Sequence, residues 1–332
     1  MATIKDVAKL AGVSPSAVSK YFLSPDHMRE KTRKQIASAV EALNYHPNQL
    51  ARSLRNGNSN VIAVTVPDSR SPYFSQYIHL MQEACFKAGF IPLFIKFLTP
   101  RDIENAIQIL RSGFADGIIC IDDGMRVNQI IEANLHIPMV QISTNPEVKA
   151  TSAVFLELEP GMELLCRHLE EQGAEHFSFI GSMRDYSSNV KLNTIRKYCQ
   201  SHKTVLKDSS VFNTDNDFQN AYESGYEQCK RLLEDMKPLP DVIIAASDDT
   251  ALGVLKCLIH NGFNVPEDIL LSGHDDTILA YMSNPSITSV HAPLEEISAA
   301  AVENMQKLLN GLEPVTSSHP TTLTIRTSTI NK

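Results

Sequence analysis

The sequence lacks the features of a secreted or membrane-anchored protein. Its six cysteines lie far apart without a CxxC pair, which is typical of reduced interior residues in a cytosolic protein and not of a disulfide framework or a zinc site. The amino terminus has no apolar signal region, and no apolar run approaches the roughly 18 residues that a membrane span needs. These absences exclude secreted and integral-membrane classes, and we expect a cytoplasmic protein.

Signatures of catalysis are also missing. The sequence contains no G-x-S-x-G elbow, no H-E-x-x-H motif, no P-loop and no G-x-G-x-x-G fingerprint. Its eleven histidines are scattered, and none is paired at the spacing of metal ligands. We therefore expect that the protein is not an enzyme and that it binds neither a metal ion nor an organic cofactor.

The charge of the chain is divided unevenly. The 332 residues are enough for two domains, and 43% hydrophobic and 20% charged residues are ordinary for a globular protein. Residues 1–57 hold nine Lys/Arg and four Asp/Glu, a net +5; with −8 for the whole chain, residues 58–332 carry −13. A basic head on an acidic body indicates a polyanionic partner for the head alone.

Residues 1–46 have the pattern of a helix-turn-helix. Thr3 is placed to cap a first helix, and Gly12 allows the tight turn that ends it. Ser14 and Pro15 begin a second helix at about 15–22, and a third follows at about 30–43. The apolar spacing places these side chains in the core of the head: Ala17, Val18, Tyr21, Ile36, Val40 and Leu43.

A short helical segment follows at 47–59. Pro47 can start it, Gly57 ends it, and Leu50 and Leu54 share one face near two arginines. About eight residues are too few for a stable isolated helix in water. We expect this hinge helix to order only against DNA and a partner copy.

The sequence resembles the LacI family of bacterial transcription regulators. The resemblance is carried by Thr3-Ile4-Lys5-Asp6-Val7-Ala8, Ala11-Gly12-Val13-Ser14, Val18-Ser19, Asn44-Tyr45-His46-Pro47-Asn48 and Ala51-Arg52-Ser53-Leu54. It implies that the second helix enters the major groove of operator DNA, while two hinge helices meet in the minor groove and each inserts Leu54 at the central base step.

By position, the resemblance implies two kinds of DNA contact. Pro15, Ser16 and Lys20 would read bases; many relatives carry Arg or His at Lys20, and a lysine still donates to guanine O6 and N7. Arg55 would lie in or beside the minor groove. The residues that resemble the phosphate contacts of the family are Thr3, Ser14, Thr32, Tyr45 and Asn48.

From residue 60 onward, apolar runs alternate with helical patterns. Buried strands are expected at 61–66, 91–95, 117–121, 138–142, 176–180, 242–246 and 269–272, with helices between them at 76–88, 101–111, 161–172, 190–202, 218–236, 250–261 and 294–310. Recurring strand–helix units predict parallel sheets covered on both faces. The fold class is thus α/β, with a small all-α head and a two-lobed, doubly wound body.

The resemblance implies that this body is like a periplasmic binding protein, with three crossings between its lobes. We expect the head at 1–46, the hinge at 47–59 and the effector-binding and dimerisation domain at 60–332. Lobe one would comprise about 60–160 and 291–320, and lobe two about 161–290 and 321–332. The closing strand is expected at 323–329. No leucine heptads follow it, so a dimer is expected.

Candidate effector-binding residues lie where strands end. Tyr73 and Phe74 follow the first strand of the body and could stack on a sugar or a planar base. Asp275 matches the Gly-x-Asp-Asp stretch of the family and would accept hydrogen bonds from ligand hydroxyls, while Asp276 would cap the next helix. Three departures from the family pattern, Ser187, Lys191 and Ser247, leave the effector identity open; Asp185, where a nucleobase-binding relative has a basic residue, disfavours purines.

The sequence thus predicts a homodimeric, cytoplasmic regulator of transcription that binds a pseudo-palindromic operator. We expect a repressor of carbohydrate or related metabolite genes that responds to a sugar or a sugar derivative. The alternative is a regulator gated by a protein corepressor, and no sequence feature decides between the two.

Overall fold

A computed structural model describes residues 2–24, 27–46, 59–122, 125–133, 135–147, 152–214 and 220–330. The chain divides into two compact units, residues 1–59 and 60–332. Within the described part, no helix combines the length and the apolar character that crossing a membrane requires.

The described residues of the amino-terminal unit form three helices: α1 Ile4–Ala11, α2 Pro15–Leu23 and α3 Glu30–Ala42. Thr3 and Asp6 form a capping box, in which the Thr3 amide donates to Asp6 Oδ2 at 2.8 Å. Gly12 ends α1 with a φ of 64°, in the left-handed region that glycine adopts without strain. The expected helices are therefore confirmed to within one residue at their ends.

The core of this unit is small. Val7, Val18 and Ile36 are fully buried where the three helices meet. Ala17, Tyr21, Val40 and Leu43, which we expected to be buried, are only half-buried, because a three-helix unit has room for few enclosed side chains.

Strands and helices alternate through the second unit. Its strands are β1 Val61–Val66, β2 Ile91–Lys96, β3 Gly117–Ile121, β4 Met139–Ser143, β5 Ser152–Glu157, β6 His176–Gly181, β7 Val205–Asn213, β8 Val242–Ala245, β9 Leu270–Asp275, β10 Thr288–His291, β11 Thr316–Pro320 and β12 Thr322–Thr324. Its helices are α4 Pro72–Lys87, α5 Pro100–Arg111, α6 Met125–Glu132, α7 Glu159–Glu171, α8 Tyr186–Ser201, α9 Ala221–Asp235, α10 Asp248–His260, α11 Ile278–Met282 and α12 Leu294–Leu309.

These strands form two six-stranded sheets of the same design. The order in lobe one is β11-β5-β4-β3-β1-β2, and in lobe two it is β12-β10-β9-β8-β6-β7. All pairs are parallel except β10–β12. Apolar clusters cover both faces of each sheet, with α4, α5, α6 and α12 on lobe one and α7 to α11 on lobe two. The doubly wound, two-lobed architecture is confirmed.

The chain passes between the two sheets three times. The first passage follows β5, the second lies between β10 and α12, and the third joins β11 to β12. Because the carboxyl ends of parallel strands lie at one edge of each sheet, the ends of β1, β6, β8 and β9 carry the loops where such folds bind ligands.

Several boundaries differ from the sequence predictions, and two of the differences concern the closing strand and α4. The closing strand ends at Thr324, and residues Thr327–Thr329 form a 3₁₀ turn. This turn is buried because Thr329 Oγ1 is hydrogen-bonded to both His168 and Thr288. Helix α4 begins at Pro72, four residues earlier than predicted, so Tyr73 and Phe74 lie in its first turn.

Candidate functional site

The amino-terminal end of α2 forms a polar, solvent-facing surface. Ser14 caps this helix, since its hydroxyl accepts from the Ala17 amide at 3.2 Å, and it shares a 2.8 Å hydrogen bond with the Ser16 hydroxyl. Pro15, Ser16 and Lys20 are exposed on the same helix. The arrangement leaves these side chains accessible to a partner.

The other candidate DNA contacts differ in their surroundings. Thr3 is exposed, and its hydroxyl donates to Asp6 at 2.7 Å. Thr32 is half-buried on α3, and the half-buried Tyr45 ring packs 5.9 Å from Phe22. Asn48, Leu54 and Arg55, together with the expected hinge helix, lie outside the described residues.

In the body, polar side chains meet at the carboxyl edge of the lobe-two sheet. Lys191, on α8, is buried, and its ammonium donates to the Ala246 carbonyl at 2.7 Å. Asp275 ends β9 with a φ of 102°, and its Oδ1 is hydrogen-bonded to His274 Nδ1 at 2.8 Å. A non-glycine residue at such a φ is strained, a feature that clusters at functional sites.

The electrostatics of Asp275 follow from its burial. Burial raises the pKa of Asp275 to about 7, against the lowering effect of the Lys191 ammonium and with a smaller raising effect from Asp185. Burial also holds the pKa of His274 well below its usual range, so the ring is neutral. Its Nε2 has no hydrogen-bond partner within the described chain. The edge therefore brings Asp275, Lys191 and Asp185 into electrostatic contact.

Asp248 has a different role. One carboxylate oxygen accepts from Ser289 at 2.6 Å, and the other accepts from the amide and the hydroxyl of Thr277 at 2.6 and 3.0 Å. It is fully buried, and burial together with the charge of Asp275 raises its pKa to about 8. Because both of its carboxylate oxygens accept hydrogen bonds, Asp248 holds the loop after β9 against α10.

Asp249 lies between the two lobes. Its carboxylate interacts with the hydroxyl of Ser71, the N-cap of α4 in lobe one, and that hydroxyl makes no capping bond to its own helix. Burial and the nearby Asp275 raise the pKa of Asp249 to about 6. Neither Asp249 nor Ser71 was a candidate from the sequence. The feature that could have indicated Asp249 is the pair of acidic residues with which α10 begins.

Ser187 and Ser247 are held by local capping. Ser187 Oγ donates to Asp185 Oδ2 at 2.5 Å, and the same carboxylate caps α8 by accepting from the Ser188 amide. Ser247 caps α10 through the Thr250 amide. The two serines thus sit at helix starts that border the edge where Asp275 lies.

The remaining candidates are placed differently from the expectation. Asp276 does not cap a helix; it accepts hydrogen bonds from Arg326, from His291 at 2.9 Å and from Thr324 at 2.9 Å. Phe74 is a buried core residue of lobe one, because the third residue of α4 packs into the apolar core. Tyr73 is half-buried beside it, with ring centroids 5.1 Å apart.

Two protein-family models and curated relatives match this chain. Residues 3–48 match the sequence model of "Bacterial regulatory proteins, lacI family", and residues 166–329 match that of "Periplasmic binding protein-like domain". The HTH-type transcriptional repressor PurR of Aliivibrio fischeri is 30% identical over 309 residues, which cover 91% of this chain and 90% of the relative. The chain belongs to the LacI family.

Solved structures agree on the fold of this LacI-family member. The Lac repressor dimer bound to operator has a TM-score of 0.85 at 22% identity, with 99% of both chains covered. A complex of the transcriptional regulator CelR with cellobiose has a TM-score of 0.74 at 24% identity, with 99% of this chain and 100% of the neighbour covered. The lacI-family match at residues 3–48 and the 30% identity to PurR over 91% of the chain make it a DNA-binding transcriptional repressor and not an enzyme.

One groove of this LacI-family body was not predicted. It has a volume of about 530 Å³ and lies between the first turns of α4 and α11. Its lining residues are Pro72, Ser75, Gln76, Asp276, Thr277, Ile278, Tyr281 and Arg326. Because α4 belongs to lobe one and α11 to lobe two, its width depends on how the lobes meet.

Proposed function

We propose that this repressor is gated by a small, polyhydroxylated effector, a sugar or a sugar derivative, bound between the two lobes. The observation that carries the proposal is the group of Asp275, Lys191 and Asp249 at the carboxyl edge of the lobe-two sheet. Carboxylates accept hydrogen bonds from hydroxyls, and an ammonium donates to them. This is the chemistry that a ring with several hydroxyl groups satisfies.

The neighbouring lobe-one surface supports the same ligand class. Tyr73 lies at the start of α4, and Ser71 beside it faces Asp249 across the cleft. An aromatic face next to hydrogen-bonding groups suits a sugar ring, which has an apolar face and a polar rim. The CelR neighbour is a complex with cellobiose, which is consistent with this choice.

The head supplies the proposed DNA contacts. We infer that Pro15, Ser16 and Lys20 read bases, because all three are exposed on α2. Phosphate contacts are assigned to Thr3, Ser14, Thr32, Tyr45 and Asn48, and minor-groove contacts to Leu54 and Arg55. A DNA partner also agrees with a cytoplasmic location.

A dimer is proposed on the evidence of an exposed apolar patch. Ile278, Tyr281 and Met282 of α11 are 58%, 68% and 72% exposed. Large apolar side chains that are exposed side by side mark an interaction surface. A second copy bound here would give the two-fold symmetry that a pseudo-palindromic operator requires. The proposed domains are 1–46, 47–59 and 60–332.

The test is the thermal stability of the full chain against a panel of sugars, sugar phosphates, uronic acids and nucleobases. A ligand in hundredfold excess over its dissociation constant stabilises the folded state by about 2.7 kcal/mol. We expect a neutral or phosphorylated sugar to raise the melting temperature of the wild type and not that of Asp275→Asn. A nucleobase as the only hit would contradict the sugar assignment.

A panel without any hit would contradict a small-molecule effector from these classes. The alternative, a protein corepressor, would then be tested by co-purification of its binding partners from cells grown with and without sugar. Operator release by a panel hit, measured by fluorescence anisotropy, completes the test, because a ligand that binds without changing operator affinity is not an effector.

A further inference from the structure

The amino-terminal ends of β1 and β6 are held by similar contacts, each centred on one aspartate. In lobe two, Asp241 Oδ2 accepts from the amide of Glu175 at 2.9 Å and from that of His176 at 2.7 Å. The Asp241 amide donates to the His176 carbonyl at 2.9 Å, and the Val205 amide donates to the Glu175 carbonyl at 2.7 Å. One aspartate before β8 thus fixes the residues with which β6 begins.

Lobe one repeats this pattern. Asp116, the residue before β3, accepts from the Asn60 amide at 2.7 Å through Oδ2. Its own amide donates to the Val61 carbonyl at 2.9 Å, and the Ile91 amide donates to the Asn60 carbonyl at 2.8 Å. Both backbone groups of Asn60 are therefore held, its N–H by Asp116 and its carbonyl by β2.

The two lobes differ in what precedes the held residue. Glu175 continues from α7 within the same lobe, whereas Asn60 follows the proposed hinge at 47–59 and the DNA-binding head. Asn60 also has a φ of 57°, the left-handed region that asparagine tolerates better than most residues. Asp116 thus accepts a hydrogen bond from Asn60, the residue through which the body is joined to the hinge and the head.

We propose that Asp116 is a positioning residue for operator binding, because it fixes the direction in which the chain leaves lobe one toward the head. Two heads that bind two half-sites require a defined separation of the points from which they are tethered. Ile91 begins β2 and Asp116 directly precedes β3, the two strands that flank β1, so a shift within lobe one moves Asn60 with them. The contact transmits the arrangement of lobe one to the linker.

The repeat provides a matched control. Asp116→Ala and Asp241→Ala remove the same kind of hydrogen bond, from a carboxylate to the amide before a central strand. Each loss lowers the stability of its own lobe. Only the lobe-one variant frees the residue that leads to the head, so operator affinity separates a positioning role from a structural one.

The experiment uses full-length protein and the duplex that the wild type selects from a randomised library. Freeing the backbone of one residue in the unbound state predicts an operator affinity about 5- to 30-fold lower for Asp116→Ala. Affinity for a random duplex is expected to stay within about twofold, because phosphate contacts made by the head are unchanged. Asp116→Asn keeps a side-chain acceptor and is expected to restore most of the operator affinity, and Asp241→Ala is expected to leave it unchanged.

Three results would overturn the proposal: equal losses for Asp116→Ala and Asp241→Ala, an operator affinity for Asp116→Ala within twofold of the wild type, or equal losses on both duplexes. If Asp116→Ala does not fold, Asn60→Gly replaces it. Glycine can keep the left-handed φ and both backbone hydrogen bonds, but it makes the backbone at residue 60 more flexible. We therefore expect Asn60→Gly to lower operator affinity, by less than we expect for Asp116→Ala. An unchanged affinity of Asn60→Gly would then count against the proposal.

Discussion

Replacing Asp275 by asparagine should stabilise the protein, and more so as the pH rises. Asp275 ionises at about pH 7 in the folded protein and near 3.8 as a free side chain, because burial disfavours its charged form. Between these values the folded state holds a proton that the unfolded state has lost. The free energy of unfolding therefore falls as the pH rises from about 4 to about 7, and the full cost of ionising the buried carboxyl is present above pH 7.

The magnitude follows from the size of the shift. A change of one pKa unit corresponds to about 1.4 kcal/mol, so about three units correspond to about 4 kcal/mol at pH 8. Asp248 and Asp249 are coupled to Asp275, and their own pKa values fall when its charge is removed. We expect the free energy of unfolding of Asp275→Asn to exceed that of the wild type by about 2–4 kcal/mol at pH 8, which raises the melting temperature by roughly 5–10 °C.

Urea unfolding of the wild type and Asp275→Asn at pH 5 and pH 8 measures this gain. Asparagine keeps an acceptor for His274, so the comparison isolates the charge. The contributions of the other titrating groups to the pH dependence cancel when the free energy of unfolding of the wild type is subtracted from that of the variant. Asp208→Asn, at a carboxylate that is 92% exposed, is the control and should give no pH-dependent difference. A gain for Asp275→Asn that is the same at both pH values would refute the reasoning.

Three further predictions concern the head, the hinge and lobe two. Lys20→Ala should relax the base preference at one position of each half-site in a selection from random duplexes, while an unchanged consensus would reject base reading by Lys20. Leu54→Ala should weaken binding to the selected duplex far more than to a random one, since a wedge acts only on the specific site. Gly253→Ala should lower the free energy of unfolding by about 1–3 kcal/mol in urea titrations, because a Cβ there would lie 2.0 Å from the Tyr222 carbonyl oxygen.

The head was predictable because its determinants are local. The Thr3 cap, the Gly12 turn and the Ser14–Pro15 start each act within four residues, and all three appear in the structure. Most central strands were equally readable, because buried parallel strands are short apolar runs; β5 and β10, which also lie inside their sheets, were not predicted. Burial of the residues of β3 and β8 on both faces of the sheet explains this success.

The unpredicted elements have physical reasons of their own. β7 and β11 lie at sheet edges and expose most of their residues, so Thr316–Pro320 shows no apolar pattern. Asp276 was expected to act locally, but its partner Arg326 is 50 residues away in the sequence. The contact of Asp249 with Ser71 joins the two lobes and has no local signal. Side-chain roles that depend on tertiary neighbours lie beyond sequence patterns.

The two lobes, although built alike, offer an effector different chemistry. At the lobe-one edge two acidic side chains are neutralised by arginines close to them in the sequence: Arg70 pairs with Asp68 at 2.9 Å, and Arg126, at the start of α6, pairs with Asp122 at 2.6 Å.

At the lobe-two edge the ammonium of Lys191 is buried and donates to a carbonyl, and the charges of Asp275 and Asp249 oppose each other. Hydroxyl groups that donate to these carboxylates stabilise their charged forms, so effector binding should lower both pKa values and release protons to the solvent. A binding enthalpy that changes with the ionisation enthalpy of the buffer near pH 6.5 measures that release. An enthalpy independent of the buffer would place the effector away from these two side chains.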